Sequence, residues 1–96
     1  MLTSKQRSYL RKLANSQDAI FQIGKGGITP AVVNQVEEAL EARELIKIHV
    51  LDNSDLSPRD ACDIIVEKTG AEAVQVIGSK FVIYKRSSKN PEIQLP

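Results

Sequence analysis

The order of hydrophobic patterns along the chain predicts an α/β domain, αβαβαββ, in which a mixed four-stranded sheet is packed with three helices. Three observations carry that expectation. Two segments open with a hydroxyl residue followed by proline, Thr29-Pro30 and Ser57-Pro58, a pairing that caps a helix and fills its first position at no cost in hydrogen bonding. Each is flanked by short runs rich in β-branched residues, so that strand and helix patterns alternate. Finally, Gly78-Ser79 separates two β-rich runs by two residues, the spacing of a type II′ hairpin. Strand-helix-strand units favour parallel neighbours through right-handed crossovers, and the hairpin adds an antiparallel strand.

The first element opens on Thr3-Ser4-Lys5-Gln6, a capping-box pattern, and a helix over about residues 4–14 places Tyr9, Leu10 and Leu13 on one stripe. After a polar break at residues 15–18, residues 19–23 read as a short strand. Gly24-Lys25-Gly26-Gly27 ends it. From Pro30 onward Val32, Val33, Val36, Ala39 and Leu40 follow the spacing of a buried helical stripe, with Glu37, Glu38, Glu41 and Arg43 outside it. Residues 45–51 alternate as a strand with Ile46, Ile48 and Val50 inward. The helix after Pro58 carries Ala61, Cys62, Ile64, Ile65 and Val66 as its apolar set and runs to about Thr69, with Gly70 as its C′ residue. Residues 73–77 and 80–85 form the hairpin strands. The sequence thus predicts one domain over residues 1–86, and a polar tail over 87–96, with Pro91 and Pro96, that is only loosely held.

Composition narrows the function classes. At 96 residues the chain can bury roughly 65% of its unfolded surface, enough for one core and too little for a two-domain enzyme. A hydrophobic fraction of 42% and a charged fraction of 26% are those of a globular protein. No apolar run approaches the ~20 residues of a membrane span, and the basic N-terminal segment lacks the apolar stretch of a secretory signal. One cysteine, Cys62, allows neither an internal disulfide nor a cysteine-based zinc site, which fits a reducing compartment; a cytoplasmic location is the expectation.

A formal net charge of +1 argues against a strong overall attraction to nucleic acid, but its distribution argues the other way. Residues 1–27 carry five basic and one acidic residue, and residues 80–96 four and one. Between them, residues 28–58 carry two basic and six acidic residues, and residues 59–79 two and four. A fold that brings the two ends together would make one positive face.

Catalytic candidates are few. His49 is the only histidine, lies in a strand and has no second ligand nearby, so it reads as a sheet residue. Cys62 reads as a small core residue. Asp60, Asp63 and Glu67 share a helix face without an acid-base partner or metal ligand, and read as solvated surface. No cofactor or metal is expected. The glycine run carries the functional argument, because it lies between a strand and a capped helix N-terminus, where free N–H groups and the helix dipole favour an anion. It is not a P-loop, since Gly27 is followed by Ile28-Thr29-Pro30, and not a dinucleotide fingerprint, since position 29 is Thr. What remains is G-x-x-G, Gly24 to Gly27, which serves equally as a tight turn or as a clamp that lets backbone approach a sugar-phosphate chain.

With these residues in view the sequence resembles the YhbY-like proteins, which consist of a single CRM domain (chloroplast RNA splicing and ribosome maturation). The resemblance lies in residues 3–14 (TSKQRSYLRKLA), 23–29 (IGKGGIT), 39–48 (ALEARELIKI) and 76–85 (VIGSKFVIYK), in that order. It implies an αβαβαββ fold similar to the C-terminal domain of a bacterial translation initiation factor. It also implies a role in assembly of the large ribosomal subunit through precursor ribosomal RNA, without catalysis. The family's RNA-contacting loop maps onto Gly24, Lys25, Gly26 and Gly27, and its basic surface onto Lys5, Arg11, Lys12, Lys80, Lys85 and Arg86. Lys85 stands where the family often has Arg, which keeps the charge and loses the planar fork. Glu44 to Ile48 belong to the resemblance but read as a helix end running into a core strand, outside the RNA surface.

The expected partner is therefore RNA, bound by a monomer mainly through its backbone and shape, since Tyr9, Phe21, Phe81 and Tyr84 are the only aromatics and most are expected in the core. A rival reading is a protein-interaction module on the ribosome whose acidic helices, through Glu37, Glu38 and Glu41, meet basic ribosomal proteins. A phosphate-handling enzyme would need a carboxylate or histidine near Lys25, and the sequence offers none.

Overall fold

Every helix starts at its sequence-predicted cap. The computed structural model describes residues 2–96. Helix α1 spans Ser4–Ala14, with Thr3 and Gln6 forming the reciprocal capping box. Helix α2 spans Pro30–Arg43 behind Thr29, and α3 spans Pro58–Thr69 behind Ser57. In both, the hydroxyl oxygen accepts from the third helical N–H, of Val32 and of Asp60. The strands are β1 (Phe21–Ile23), β2 (Leu45–Val50), β3 (Glu72–Ile77) and β4 (Lys80–Tyr84). At the hairpin only Gly78 takes a positive φ, +58°, and Ser79 does not, as a II′ turn requires.

The four strands make one mixed sheet in the order β1-β2-β4-β3. β1 pairs parallel with β2, whereas β4 is antiparallel to both β2 and β3. The expectation of parallel neighbours therefore holds for the first strand-helix-strand unit alone. In the second, β2 and β3 point the same way but β4 is inserted between them. The insertion matches burial: Phe81, Val82, Ile83 and Tyr84 are all buried, a continuous run that suits a central strand covered on both faces. β3 takes the edge, where a register shift between Ala73 and Gln75 breaks its alternation. Both crossovers progress in the same direction across the sheet, so one handedness puts α2 and α3 on the same face.

On that face Ile46, Ile48 and Val50 of β2, Phe81 and Ile83 of β4 and Ile23 of β1 meet Val36 and Leu40 of α2 and Ala61, Cys62 and Ile65 of α3. The opposite face is covered by α1, whose Leu10 and Ala14 pack with Leu45, Val74, Val82 and Tyr84. Two sequence expectations change here. Leu45 is buried as well as Ile46, because β2 is covered on both faces at this end. Tyr9, read as part of the packing stripe of α1, is 38% exposed on its outer side, and the buried positions are Leu10 and Ala14.

The tail is the largest correction, because it is pinned instead of loose. Glu44, at the end of α2, is buried and adopts φ +67°, ψ −41°, a strained backbone for a residue with a side chain. Its carboxylate accepts the N–H of Ser87, Glu92 and Ile93, each at 2.8 Å. One turn earlier, the carboxylate of Glu41 accepts the N–H of Ser88 and Lys89 at 3.1 Å and the hydroxyls of Ser87 and Ser88. Ile93 and Leu95 then pack on the cluster beneath α1, and Gln6 donates to the Pro96 carbonyl. A buried carboxylate is tolerated only with such a set of donors. Although burial opposes ionisation of Glu44, the amides of Ile93, Ser87 and Glu92 and the charge of Arg86 outweigh it and lower its pKa. Hydrogen bonds from Ser87, Ser88 and Lys89 hold Glu41 at about 2.

Candidate functional site

The strand register separates the molecule into two ends. Ile23 pairs with Val50 and His49 with Lys80, so the end of β1, the end of β2 and the start of β4 lie together. The glycine loop leaves from this end. There the Gly27 amide donates to the Gly24 carbonyl at 3.0 Å, closing a turn whose tip, Lys25-Gly26, is exposed. The neighbouring chain is held close: Leu51 N–H donates to Ile23 C=O and Val50 N–H to Ser79 C=O. The loop then feeds the Thr29 cap and the N-terminus of α2, which directs its dipole toward the turn.

The glycines of this loop differ in what the fold demands of them. Gly27 has φ +70°, which a side chain would strain. At Gly24 an added Cβ would lie 3.4 Å from both Asn53 Oδ1 and Leu51 Cδ1, a snug fit. Gly26 has neither constraint: its φ is not positive and a Cβ there would meet nothing within 4 Å. Nothing inside the fold asks for glycine at that position.

Lys80 is the basic residue of the sequence-predicted surface that the strand register places at the loop's end of the sheet, two strands from β1. Its cross-strand partners are His49 and Ile77, and His49 in turn pairs with Gln22. Directly paired residues share a face, so Gln22, His49, Lys80 and Ile77 form one row across the sheet, on the side away from α2 and α3. Helix α1 packs on the other half of that face, over Leu45 and Tyr84, which leaves Gln22, Lys80 and Ile77 exposed, Ile77 by 58%. The sequence pattern does not single out Gln22, and it gives His49 only as a sheet residue. Their signal was the outward phase of two strands, which acquires meaning only once the register brings them beside Lys80.

Residues 2–85 match the family model of the CRS1 / YhbY (CRM) domain. The chain belongs to this family. Over 100% of both chains it is 45% identical to a Bacillus subtilis protein named "Probable RNA-binding protein YqeI". It is 36% identical to a Haemophilus influenzae protein named "RNA-binding protein", covering 99% of this chain and 95% of the other. A third relative, "CRM-domain containing factor CFM2, chloroplastic" from Arabidopsis thaliana, is 34% identical over 68% of this chain, which there corresponds to 6% of a much longer protein. The fold matches the solution structure of the hypothetical protein SAV1595 from Staphylococcus aureus with a TM-score of 0.82 and 52% identity, over 100% of both chains.

The remaining basic positions of this CRM domain are dispersed. Lys5, Arg11 and Lys12 are exposed on α1, on the opposite side of the sheet from α2. Lys85 and Arg86 follow β4 at its far end, about 17 Å of extended chain from Lys80. Lys85 Nζ donates to the Thr69 carbonyl at 2.7 Å, closing the C-terminal end of α3, and its N–H donates to the Glu44 carbonyl. Arg86 faces Glu44, whose ionised form it favours. Of the positive face expected from the two chain ends, Lys80 lies on the side of the sheet that α1 covers, together with the α1 bases, whereas Lys85 and Arg86 lie at the opposite end of the strands from Lys80. The reason is the direction of β4, which carries its first lysine to one end and its last to the other.

Among the described residues no group of three or more His, Cys, Asp or Glu could hold a metal ion, and no helix is long and apolar enough to cross a membrane. Cys62 is fully buried, and burial, aided by the charge of Asp63, pushes its thiol up to about 11. At neutral pH it is a protonated core residue.

Proposed function

We propose that this CRM-family protein is an RNA-binding assembly factor of the large ribosomal subunit, acting on precursor ribosomal RNA as a cytoplasmic monomer and catalysing no reaction. Two relatives matched over almost their whole length carry RNA-binding in their names. The observation that carries the reading to particular residues is Gly26. A glycine at an exposed turn tip, free of any constraint from its own fold, is explained by a ligand that must come close to the backbone. A phosphodiester chain is such a ligand, and the adjoining α2 N-terminus and Lys25 supply the positive potential it needs. Lys80, His49 and Gln22 extend the contact along the sheet, while Phe81 and Tyr84 are buried and leave backbone and shape to dominate recognition.

The acidic-helix reading is weakened by Glu41, whose carboxylate is occupied by four donors from the tail and is not available to a basic partner. Titration of a precursor ribosomal RNA fragment with the Lys25→Glu variant at several salt concentrations tests the loop. The expected result is weaker binding, with a log-log salt slope shallower by about one unit. Unchanged affinity and slope would remove the loop from the interface.

A further inference from the structure

Helix α1 carries a feature that the glycine loop does not explain. Lys5, Ser8, Tyr9 and Lys12 stand at i, i+3, i+4 and i+7, so they share one face, opposite the buried Leu10 and Ala14. Tyr9 is 38% exposed, although α1 has apolar partners for its inner side. The four side chains and Pro96 line a surface recess of about 280 Å³. Gln6 holds the Pro96 carbonyl at 3.2 Å and so fixes that wall of the recess. Arg11 donates to the Ser8 hydroxyl at 3.2 Å, which draws a third cation to its rim. No acidic residue occurs anywhere in α1.

An accessible ring between two lysines one turn to either side, on a helix without a carboxylate, has the chemistry of a nucleobase platform. The ring offers a flat apolar face on which any base can stack, and the ammonium groups meet the phosphates on either side of it. Double-stranded RNA keeps its bases stacked on each other and cannot use the ring; an unpaired nucleotide can. We propose that Tyr9, with Lys5 and Lys12, is a stacking site for an unpaired base of the bound RNA, separate from the glycine loop. The proposal rests on the RNA-binding reading and adds to it a preference for single-stranded or bulged segments at α1.

The test uses the full chain, a single-stranded oligouridylate and a blunt RNA duplex of equal length. The chain has no Trp and two Tyr, of which Tyr84 is buried, so RNA-induced loss of tyrosine emission reports on Tyr9. Expected are quenching in the wild type and its absence in Tyr9→Phe. Tyr9→Ala should bind the single strand roughly tenfold more weakly, Tyr9→Phe should stay within about twofold of the wild type, and duplex binding should be unaffected by either. If Tyr9→Ala binds the single strand like the wild type while Lys25→Glu is weakened, the platform is wrong and the RNA reading stands. If the wild type binds neither RNA, both fall.

Discussion

At one end of the sheet, Glu41 and Glu44 take up the N–H groups of five tail residues, Lys85 closes α3, and Ser87 is buried among them. At the other end, Gly24 to Gly27 close a turn with one internal hydrogen bond and present Lys25 and Gly26 to solvent beside the start of α2. Both ends hold charged side chains and helix termini, the usual ingredients of a binding site. They differ in whether those groups are already satisfied. A carboxylate with several internal donors, or a lysine spent on a helix carbonyl, would have to break those bonds before meeting a partner, so charge at the clamped end reads as structure. Charge at the open end costs little to redirect, and there the same kind of residue reads as function.

Removing the Glu44 carboxylate should break the clamped end most. Glu44→Ala leaves three amides and a tail without their anchor, and a loss of about 2–3 kcal/mol in unfolding free energy is expected from urea denaturation, with the glycine-loop end unchanged in amide chemical shifts. A shift in the urea midpoint no larger than that of a surface substitution would mean that the tail is incidental to stability.

The open end sharpens the comparison through two neighbouring glycines. Gly27→Ala must place a side chain at φ +70° and should cost about 1 kcal/mol. Gly26→Ala enters open space without a positive φ, so its stability should stay within about 0.5 kcal/mol of the wild type while its RNA affinity falls. Parallel denaturation and RNA titration of the two variants separate folding from binding. Equal loss of stability in both would show that the loop is glycine-rich for the sake of the fold.

Acid gives the smallest and most local effect. Glu41 is lowered from 4.5 to about 2 in the folded protein and Glu44 is lowered as well, so their contribution is fully present above about 4.5 and is lost as pH falls toward the folded values. Amide resonances of residues 87–93 should therefore move, and their protection factors against exchange fall, between pH 4.5 and about 2, before those of the loop end do. A tail whose amides are indifferent to that interval would contradict the clamp.

Local chemistry made most of the fold legible. Caps at Thr3, Thr29 and Ser57, proline at the starts of α2 and α3 and Gly78 in the hairpin all act within a few residues of themselves, and each helix begins where they say. The first strand, expected from residue 19, begins instead at Phe21. The glycine loop was legible for the same reason, since its chemistry lies in consecutive residues. The row of Gln22, His49 and Lys80 was not, because it joins three strands through a register that the strands do not contain singly. Nor was the clamp: Glu44 and its donors lie 43 to 49 residues apart, and a glutamate at a helix end looks the same with or without a tail folded onto it.

By itself, then, the sequence determined the kinds and order of the elements, the inert cysteine and the position of the loop, all consequences of short-range pattern and composition. Tertiary structure alone decided that β4 lies between β2 and β3, where its four buried residues find cover on both faces. Through the direction of that strand it also decided which basic residues stand at the loop's end of the sheet and which are spent holding the opposite end together.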